Sequence, residues 1–93
     1  MAEEGVRIDV WLWRARLCKT RALAAAKAGE GRMRLTRGEA SGRIDRASRT
    51  VRVGDEIAFA IGMRAFAVRV LALGTRRGPP AEAQGLYAQI EDS

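Results

Sequence analysis

The most informative chemistry in this sequence belongs to five cations that lie close together near its start: Arg7, Arg14, Arg16, Lys19 and Arg21. Lys19 and Arg21 flank Thr20, a residue type that commonly begins a helix. The start of a helix presents unpaired backbone N–H groups and a partial positive charge, to which phosphate binds. The segment therefore predicts a surface for a phosphate backbone, with the Thr20 hydroxyl and nearby N–H groups fixing the register.

The positive charge of the chain is concentrated in its first half. Residues 7–52 contain 13 Lys and Arg against 4 Asp and Glu, whereas residues 53–93 contain 4 against 5, in a chain of net charge +6. A one-sided excess of this kind is typical of a nucleic-acid interface. The alternative is a solvated charged face, although such faces usually mix both signs.

The composition disfavours several classes of chemistry. The chain has no histidine, so we expect neither the common zinc sites nor histidine-based acid–base catalysis, and we predict no metal or other cofactor. Its single cysteine, Cys18, cannot form an internal disulfide, which fits a reducing cytoplasm. No apolar run approaches the roughly 18 residues of a membrane span, and the acidic start Met1–Gly5 lacks the order of a signal peptide. We therefore expect a cytoplasmic protein that does not enter a membrane.

The first two elements are predicted to be helices. Asp9 suits the N-cap of the first helix, with Ile8 before it packing on Trp13. Thr20 suits the N-cap of the second helix, and the glycines at positions 29 and 31 end it. The first helix is apolar on more than one side. Both tryptophans are therefore expected in the core, or one of them stays exposed as a stacking platform for a base.

Strands are predicted for the middle of the chain. Met33 and Leu35 alternate with arginines, as in a strand with one buried face. Residues 36–50 are rich in Gly, Ser and Arg and predict an irregular basic loop. Gly54 marks a turn, and alternating apolar residues on both sides of Gly62 predict a hairpin.

The end of the chain is predicted to form a short helix that closes the fold. Pro80 suits the first turn of this helix, with Leu86, Tyr87 and Ile90 on its inner side. The whole order is then helix, helix, strand, basic loop and further strands, with the positive charge on the helical pair.

The residues that carry a resemblance to a known family begin at Arg7 and end at Ile57. They are Arg7-Ile8-Asp9, Leu12, Arg16, Lys19-Thr20-Arg21, Ala24, Gly31-Arg32-Met33-Arg34-Leu35, Ser48 and Val51-Arg52-Val53-Gly54-Asp55-Glu56-Ile57. Together they resemble the S-four RNA-binding domain (S4 domain), which is named after a small-subunit ribosomal protein. Two further stretches are similar to a narrower group, the ribosome-associated heat-shock protein fifteen family of bacteria. They are Trp11-Leu12-Trp13 and Arg76-Arg77-Gly78-Pro79-Pro80-Ala81-Glu82-Ala83-Gln84 with Leu86-Tyr87.

The resemblance implies an α+β fold in which a two-helix RNA-binding motif of the αL type packs on a small antiparallel sheet, with a short C-terminal helix. It divides the chain into a flexible N-terminus at 1–6, the RNA-binding domain at 7–75, and a C-terminal turn and short helix at 76–93. It also implies binding to ribosomal RNA of the large ribosomal subunit, in particular free subunits that still carry a nascent chain on tRNA. Such proteins act in the rescue or recycling of stalled subunits, and no catalysis is attributed to them.

The sequence departs from the family pattern at three places. Lys27-Ala28-Gly29 stands where the family has a large aliphatic residue and an acid, so Lys27 becomes an additional candidate RNA contact. Thr36-Arg37-Gly38 replaces an expected Asn-Gly turn, and the loop from Glu39 to Asp45 is longer than usual.

The candidate RNA-binding residues carry a positive charge or a hydroxyl group. They are Arg7, Arg14, Arg16, Lys19, Thr20, Arg21, Lys27, Arg32, Arg34, Arg37, Arg46 and Ser48. Arg14 and Arg16 fall on different sides of the first helix, so we expect only one of them to touch RNA. Arg16 has an alternative role as the ion-pair partner of Asp55 or Glu56. Because phosphate contacts position a protein without identifying bases, specificity is expected to come from RNA shape.

Three alternatives remain open on the sequence. S-four domains also occur attached to pseudouridine synthases, methyltransferases and a tRNA synthetase, but too few residues follow the motif here for such a catalytic domain, so we predict no enzyme. A small S-four protein that binds another structured RNA fits the same residues. A protein-interaction module would use an apolar face, with the arginines serving solubility. Small size and high net charge favour a monomer.

Overall fold

Short helices and an antiparallel sheet make up the fold in a computed structural model that describes residues 4–90. The elements are β1 (Val6–Arg7), α1 (Ile8–Arg14), α2 (Arg21–Gly29), β2 (Met33–Arg37), β3 (Ala40–Ile44), β4 (Thr50–Val51), β5 (Glu56–Ile61), β6 (Arg64–Val70), α3 (Pro80–Gln84) and β7 (Tyr87–Gln89). The main sheet has the strand order β3-β2-β5-β6-β7, and β1 pairs separately with β4. The predicted α+β class, with two helices on a small antiparallel sheet, is confirmed.

The core lies between the helical pair and one face of the main sheet, here called the inner face. Trp11 and Leu12 of α1 are fully buried, as are Ala24 and Ala28 of α2, and all four join one cluster with inner-face residues such as Ile57. Alanine favours a helix and has a short side chain. The small residues of α2 therefore let the two helices approach each other and the sheet.

The predicted alternation of the first strand is confirmed. Met33 and Leu35 are buried on the inner face, whereas Arg34 between them is exposed on the opposite, outer face. The predicted hairpin is also present, because β5 and β6 pair antiparallel around Gly62, whose φ is +61°. No helix in the described part of the chain is long and apolar enough to cross a membrane.

The start of α1 differs from the prediction. Its N-cap is Arg7, and Asp9 lies in the first turn, where its carboxylate accepts hydrogen bonds from the Val10 N–H and from the Arg7 side chain. The prediction was wrong because β1 pairs with β4 as far as Arg7, and the Ile8 N–H donates to the Arg49 carbonyl at 2.7 Å. These bonds position Ile8 as the first residue of the helix, one residue before Asp9. Ile8 is thus not the residue before the N-cap, the position in which it was predicted to pack on Trp13.

The predicted irregular loop at 36–50 is also partly wrong, because β3 forms a hairpin with β2. Arg37 pairs with Ala40 across a two-residue turn, and Gly38 takes the first central position with a φ of +61°. That position is the one a type II′ hairpin turn gives to glycine. The strand was missed because β3 lies at the sheet edge and buries only Ile44, so it has no apolar alternation.

The predicted closing helix is shorter than expected and is followed by a strand. α3 ends at Gln84, the Gly85 N–H donates back to the Glu82 carbonyl, and Tyr87 lies on β7 rather than on the helix. Ile90 follows β7, and its N–H donates to the Ala67 carbonyl at 2.8 Å. The edge of β6 offers unpaired backbone groups, and pairing with them outweighs the continuation of a short helix after glycine.

The predicted segments 1–6, 7–75 and 76–93 can be compared with the elements of the fold. Residues 1–3 of the predicted flexible N-terminus lie outside the described residues, and Val6 belongs to β1. The C-terminal segment at 76–93 adds β7 to the sheet of the predicted RNA-binding domain, and its last three residues again lie outside the description.

A buried carboxylate joins the end of β2 to the turn before β5. Asp55 is 1% exposed, and its two oxygens accept bonds from Arg37 Nε at 2.9 Å and Arg37 Nη2 at 2.7 Å. The Arg52 N–H donates to the same carboxylate at 2.9 Å. A carboxylate taken out of water is tolerated when its lone pairs are used in this way.

We therefore predict that Asp55→Asn lowers the free energy of unfolding by about 2–4 kcal/mol, because a neutral amide replaces a buried carboxylate that accepts three hydrogen bonds. Glu56→Gln is the matched control, since Glu56 forms an exposed ion pair with Arg69 at 3.1 Å and its loss should cost less than about 0.5 kcal/mol. Urea denaturation followed by circular dichroism measures both variants. Equal stability of the two would show that Asp55 does not hold the fold.

Candidate nucleic-acid interface

The connection between α1 and α2 brings together the central candidates of the predicted interface. Arg16, Lys19, Thr20 and Arg21 are all exposed there, and we call these four residues the helical surface. The predicted N-cap of α2 is confirmed, because Thr20 Oγ1 accepts a hydrogen bond from the Leu23 N–H at 3.0 Å. Helix geometry leaves the N–H groups of the first turn without acceptors inside the helix. The helical surface thus combines three cations with a helix start.

The end of α1 sets the shape of this connection. Arg16 has a φ of +59°, and its N–H donates to the Trp13 carbonyl while the Leu17 N–H donates to the Leu12 carbonyl. This pair of bonds is the Schellman arrangement that ends helices with a left-handed residue, most often glycine. A non-glycine residue in that conformation destabilises the fold by roughly 1–2 kcal/mol. Another interaction of Arg16 must therefore compensate for this cost.

Three side chains of the α1 region donate hydrogen bonds to backbone carbonyls of residues 72–78. Trp11 Nε1 donates to the Ala72 carbonyl at 3.0 Å, Arg14 Nη1 to the Gly74 carbonyl at 2.8 Å, and Arg16 Nε to the Gly78 carbonyl at 2.6 Å. The Arg16 contact offsets the cost of its backbone conformation. Trp11 is fully buried by this arrangement, whereas Trp13 is half-buried.

These contacts correct two predictions about the arginines of α1. Arg16 does not pair with Asp55 or Glu56, because Asp55 is bound by Arg37 and Glu56 by Arg69. Arg14 and Arg16 were predicted to lie on different sides of the helix, yet both reach the 72–78 segment, because Arg16 follows the helix end in a left-handed turn. Arg14 is half-buried and Arg16 is exposed, so Arg16 is the one that remains open to a ligand.

Other candidates are held in intramolecular ion pairs. Arg7 binds Asp9 with its Nη2 3.1 Å from the carboxylate, and Arg37 binds the buried Asp55. Both arginines therefore have structural roles at the ends of their elements. Arg46 and Ser48 are exposed in the connection between β3 and β4, and Lys27 is half-buried on α2.

Arg34 faces away from the helices, whereas Arg32 lines a small pocket with Glu30 at the end of α2. Arg34 lies on the outer face, directly opposite Arg43 of β3 and opposite Ala58 of β5. Arg32 precedes β2 by one residue and is exposed. The predicted interface is consequently divided between the helical surface and the outer face of the sheet.

An apolar groove lies beside the helical surface. It has a volume of about 160 Å³, and its lining residues are Leu17, Cys18, Lys19, Leu23, Lys27, Met33 and Phe59. Burial raises the pKa of the Cys18 thiol, and the positive charge of Lys27 opposes part of this rise. The thiol is therefore mostly protonated at neutral pH and is a weak nucleophile. Among residues 4–90, no group of three His, Cys, Asp or Glu side chains could hold a metal ion.

Two heat shock proteins align with nearly the whole of this chain. The chain is 36% identical over 93 residues, its whole length, to the heat shock protein 15 homolog of Haemophilus influenzae, of which it covers 67%. It is 33% identical over 88 residues, 95% of its length, to heat shock protein 15 of Escherichia coli, of which it covers 62%. The chain belongs to the heat shock protein 15 family. It spans about two thirds of the length of these two relatives.

A solved structure of the heat shock protein 15 family has the same fold. The heat shock protein 15 of Vibrio cholerae, described as trimeric at 2.3 Å resolution, superposes with a TM-score of 0.81 at 31% identity. The match covers 94% of this chain and 83% of that one. A scan against models of protein families found no match.

The exposed Arg43 was not among the RNA contacts predicted from the sequence. Arg43 was assigned to the loop at 36–50, and only the pairing of β2 with β3 places it opposite Arg34. A two-residue turn at Gly38 and Glu39 fixes that register, so recognition of the turn glycine in Thr36-Arg37-Gly38 was the available signal.

We predict that Arg16→Ala lowers the free energy of unfolding by about 1–2 kcal/mol, because it removes the bond to the Gly78 carbonyl and keeps the unfavourable φ. Arg16→Gly removes the same bond but relieves the backbone, so it should be about 1 kcal/mol more stable than Arg16→Ala. Urea denaturation of the three proteins measures both differences. If the two variants are equally stable, position 16 is not strained in the folded protein.

Proposed function

We propose that this member of the heat shock protein 15 family is a non-enzymatic RNA-binding protein that binds structured ribosomal RNA of the large ribosomal subunit. Its role would be the recycling or rescue of stalled subunits that carry a nascent chain on tRNA. The observation that carries the proposal is the helical surface. There Lys19 and Arg21 stand exposed beside the capped start of α2, and neither is in an ion pair within the described residues.

The helical surface suits a phosphate backbone because its parts are held in place before a ligand arrives. The Schellman end at Arg16 and the Thr20 cap fix both ends of the α1–α2 connection. Ordering a loop on binding costs free energy, so a connection already fixed binds more tightly for the same contacts. Arginine and lysine then supply charge-assisted hydrogen bonds to phosphate oxygens. RNA shape, rather than base sequence, determines which site fits.

The available side chains support binding rather than catalysis. The sequence contains no histidine, and burial raises the pKa of the Cys18 thiol away from the range of an activated nucleophile. The relatives are named as heat shock proteins, which supports a role under stress rather than a defined reaction. The proposed ribosomal target places the protein in the cytoplasm.

The binding unit is proposed to be a single chain, because all four residues of the helical surface come from one connection. The structure of the relative from V. cholerae is described as trimeric, whereas small size and a net charge of +6 favour a monomer here. Light scattering of this protein with and without RNA measures its oligomeric state.

A second candidate function is a protein-interaction module, and the apolar groove favours it. Leu23 at this groove is 52% exposed, so its apolar side chain is available to a partner. Under this alternative, a partner would occupy the groove and the cations would serve solubility. Leu23→Ser, which leaves every charge in place, separates the two candidates, because it should leave RNA binding unchanged.

We predict that Lys19→Glu with Arg21→Glu weakens binding to purified large ribosomal subunits by at least about thirtyfold, since it removes two phosphate contacts and adds repulsion. For the wild-type protein on an RNA duplex, five to seven contacts correspond to a log–log salt slope of roughly −4 to −6. The double variant should have a slope shallower by about two.

The control is Arg64→Glu with Arg69→Glu, which makes the same change of charge on β6, away from the helical surface. Within residues 4–90 it breaks only one ion pair, the exposed one between Arg69 and Glu56. Filter binding across a salt series measures both pairs. If the control variant loses as much affinity as the test variant, net charge rather than the helical surface determines binding. A wild-type affinity that does not change with salt would remove the phosphate mechanism.

A further inference from the structure

Two arginines stand directly opposite each other on the outer face of the sheet. Arg34 of β2 and Arg43 of β3 are register partners, and both are exposed. Within residues 4–90, neither takes part in an ion pair with a carboxylate, although Glu39 and Asp45 lie nearby in the chain. Like charges directly opposite on neighbouring antiparallel strands destabilise a sheet. The stability of the free protein therefore does not account for this pair.

The same face shows how the sheet pairs charges when they support the fold. Glu56 and Arg69 are register partners on β5 and β6, and their side chains form an ion pair at 3.1 Å. That arrangement gains from opposite charge across the strands. The contrast with Arg34 and Arg43 indicates that the two arginines are arranged for an anion that the chain itself does not supply.

The surroundings of the pair leave room for an extended anionic ligand. The Arg43 side chain runs toward the start of β2, since its Cδ lies 3.8 Å from where a Cβ on Gly31 would be. The stem of Arg43 therefore lies along the sheet edge beside β2 and leaves its guanidinium group accessible. Ala58, the partner of Arg34 on its other side, is exposed and small, so a ligand lying on the sheet meets no bulky side chain there.

We propose that Arg34 and Arg43, which we call the outer arginine surface, bind the phosphate backbone of a second RNA segment. The inference rests on the proposed function and extends it. The helices cover the inner face, so the helical surface and the outer arginine surface lie on different sides of the sheet. One protein molecule then holds two RNA segments at once. Arginine suits this role because its planar guanidinium binds phosphate through paired hydrogen bonds.

Arg43→Glu tests the outer arginine surface, with Arg64→Glu on β6 as the control for charge. Two short RNA duplexes, one carrying a donor fluorophore and one an acceptor, report bridging by energy transfer when the protein is added. We expect the wild-type protein and Arg64→Glu to bridge the duplexes. We expect Arg43→Glu to lose bridging and to keep its affinity for a single duplex within about threefold, since the helical surface is intact.

Thermal unfolding provides a second readout that a purely structural role would not give. Arg43→Glu places opposite charges across the strands, so its melting temperature should rise by roughly 2–4 °C while bridging is lost. Arg43→Gln removes the repulsion without adding an acid and should change both quantities in the same directions, by less. A fall in melting temperature for both variants would assign Arg43 a structural role and overturn the proposal.

The remaining outcomes separate this inference from the proposed function. Bridging that survives Arg43→Glu would contradict the outer arginine surface, because it would arise from helical surfaces of associated chains. Equal loss in Arg43→Glu and Arg64→Glu would also contradict it, since net charge alone would be the cause. If the wild-type protein binds no RNA duplex or large subunit at all, the proposed function itself fails. An acidic peptide and an unlabelled RNA duplex can each compete for the outer arginine surface of the wild-type protein. If the peptide displaces the labelled duplex and the unlabelled RNA does not, the ligand is a protein and the inference is wrong.

Discussion

The left-handed end of α1 at Arg16 is the constraint on which the arrangement of the proposed RNA-binding residues depends. It turns the chain toward Lys19 and Thr20, and the Arg16 bond to the Gly78 carbonyl at 2.6 Å secures it. Trp11 and Arg14 bind the same 72–78 segment at two earlier carbonyls. The position of the basic connection between the helices is therefore tied to a segment about sixty residues later in the chain. The candidate interface is a product of the whole fold and not of a local motif.

The arginines of this chain divide into those that the fold uses and those that it leaves to solvent. Arg7, Arg14 and Arg37 bind acceptors within the protein, and each fixes the end of an element or a segment. Lys19 and Arg21 on one side of the sheet, together with Arg34 and Arg43 on the other, have side chains that bind no acceptor within residues 4–90. A high net charge alone does not distinguish the two groups, because pairing depends on register and burial.

Sequence patterns predicted the elements whose signals are local. The alternation of Met33 and Leu35, the Thr20 cap and the turn at Gly62 each follow from one short stretch, and the structure contains all three. The resemblance to the heat shock protein 15 family is confirmed by the relatives and by the Vibrio cholerae structure. Three errors have a common physical cause, which is backbone pairing between strands that the apolar pattern of a single segment does not reveal. β4 fixes the start of α1, β2 pairs with the polar edge strand β3, and β6 draws the end of the chain into β7.

We propose that the protein binds the large ribosomal subunit through electrostatic contacts with RNA. Sedimentation of cell lysate through a sucrose gradient at two salt concentrations, with detection of this protein in each fraction, is the decisive experiment. We expect co-migration with free large subunits at low salt and release at high salt, because phosphate contacts displace counterions and rising salt favours dissociation. Protein that stays at the top of the gradient in both conditions would contradict a ribosomal target.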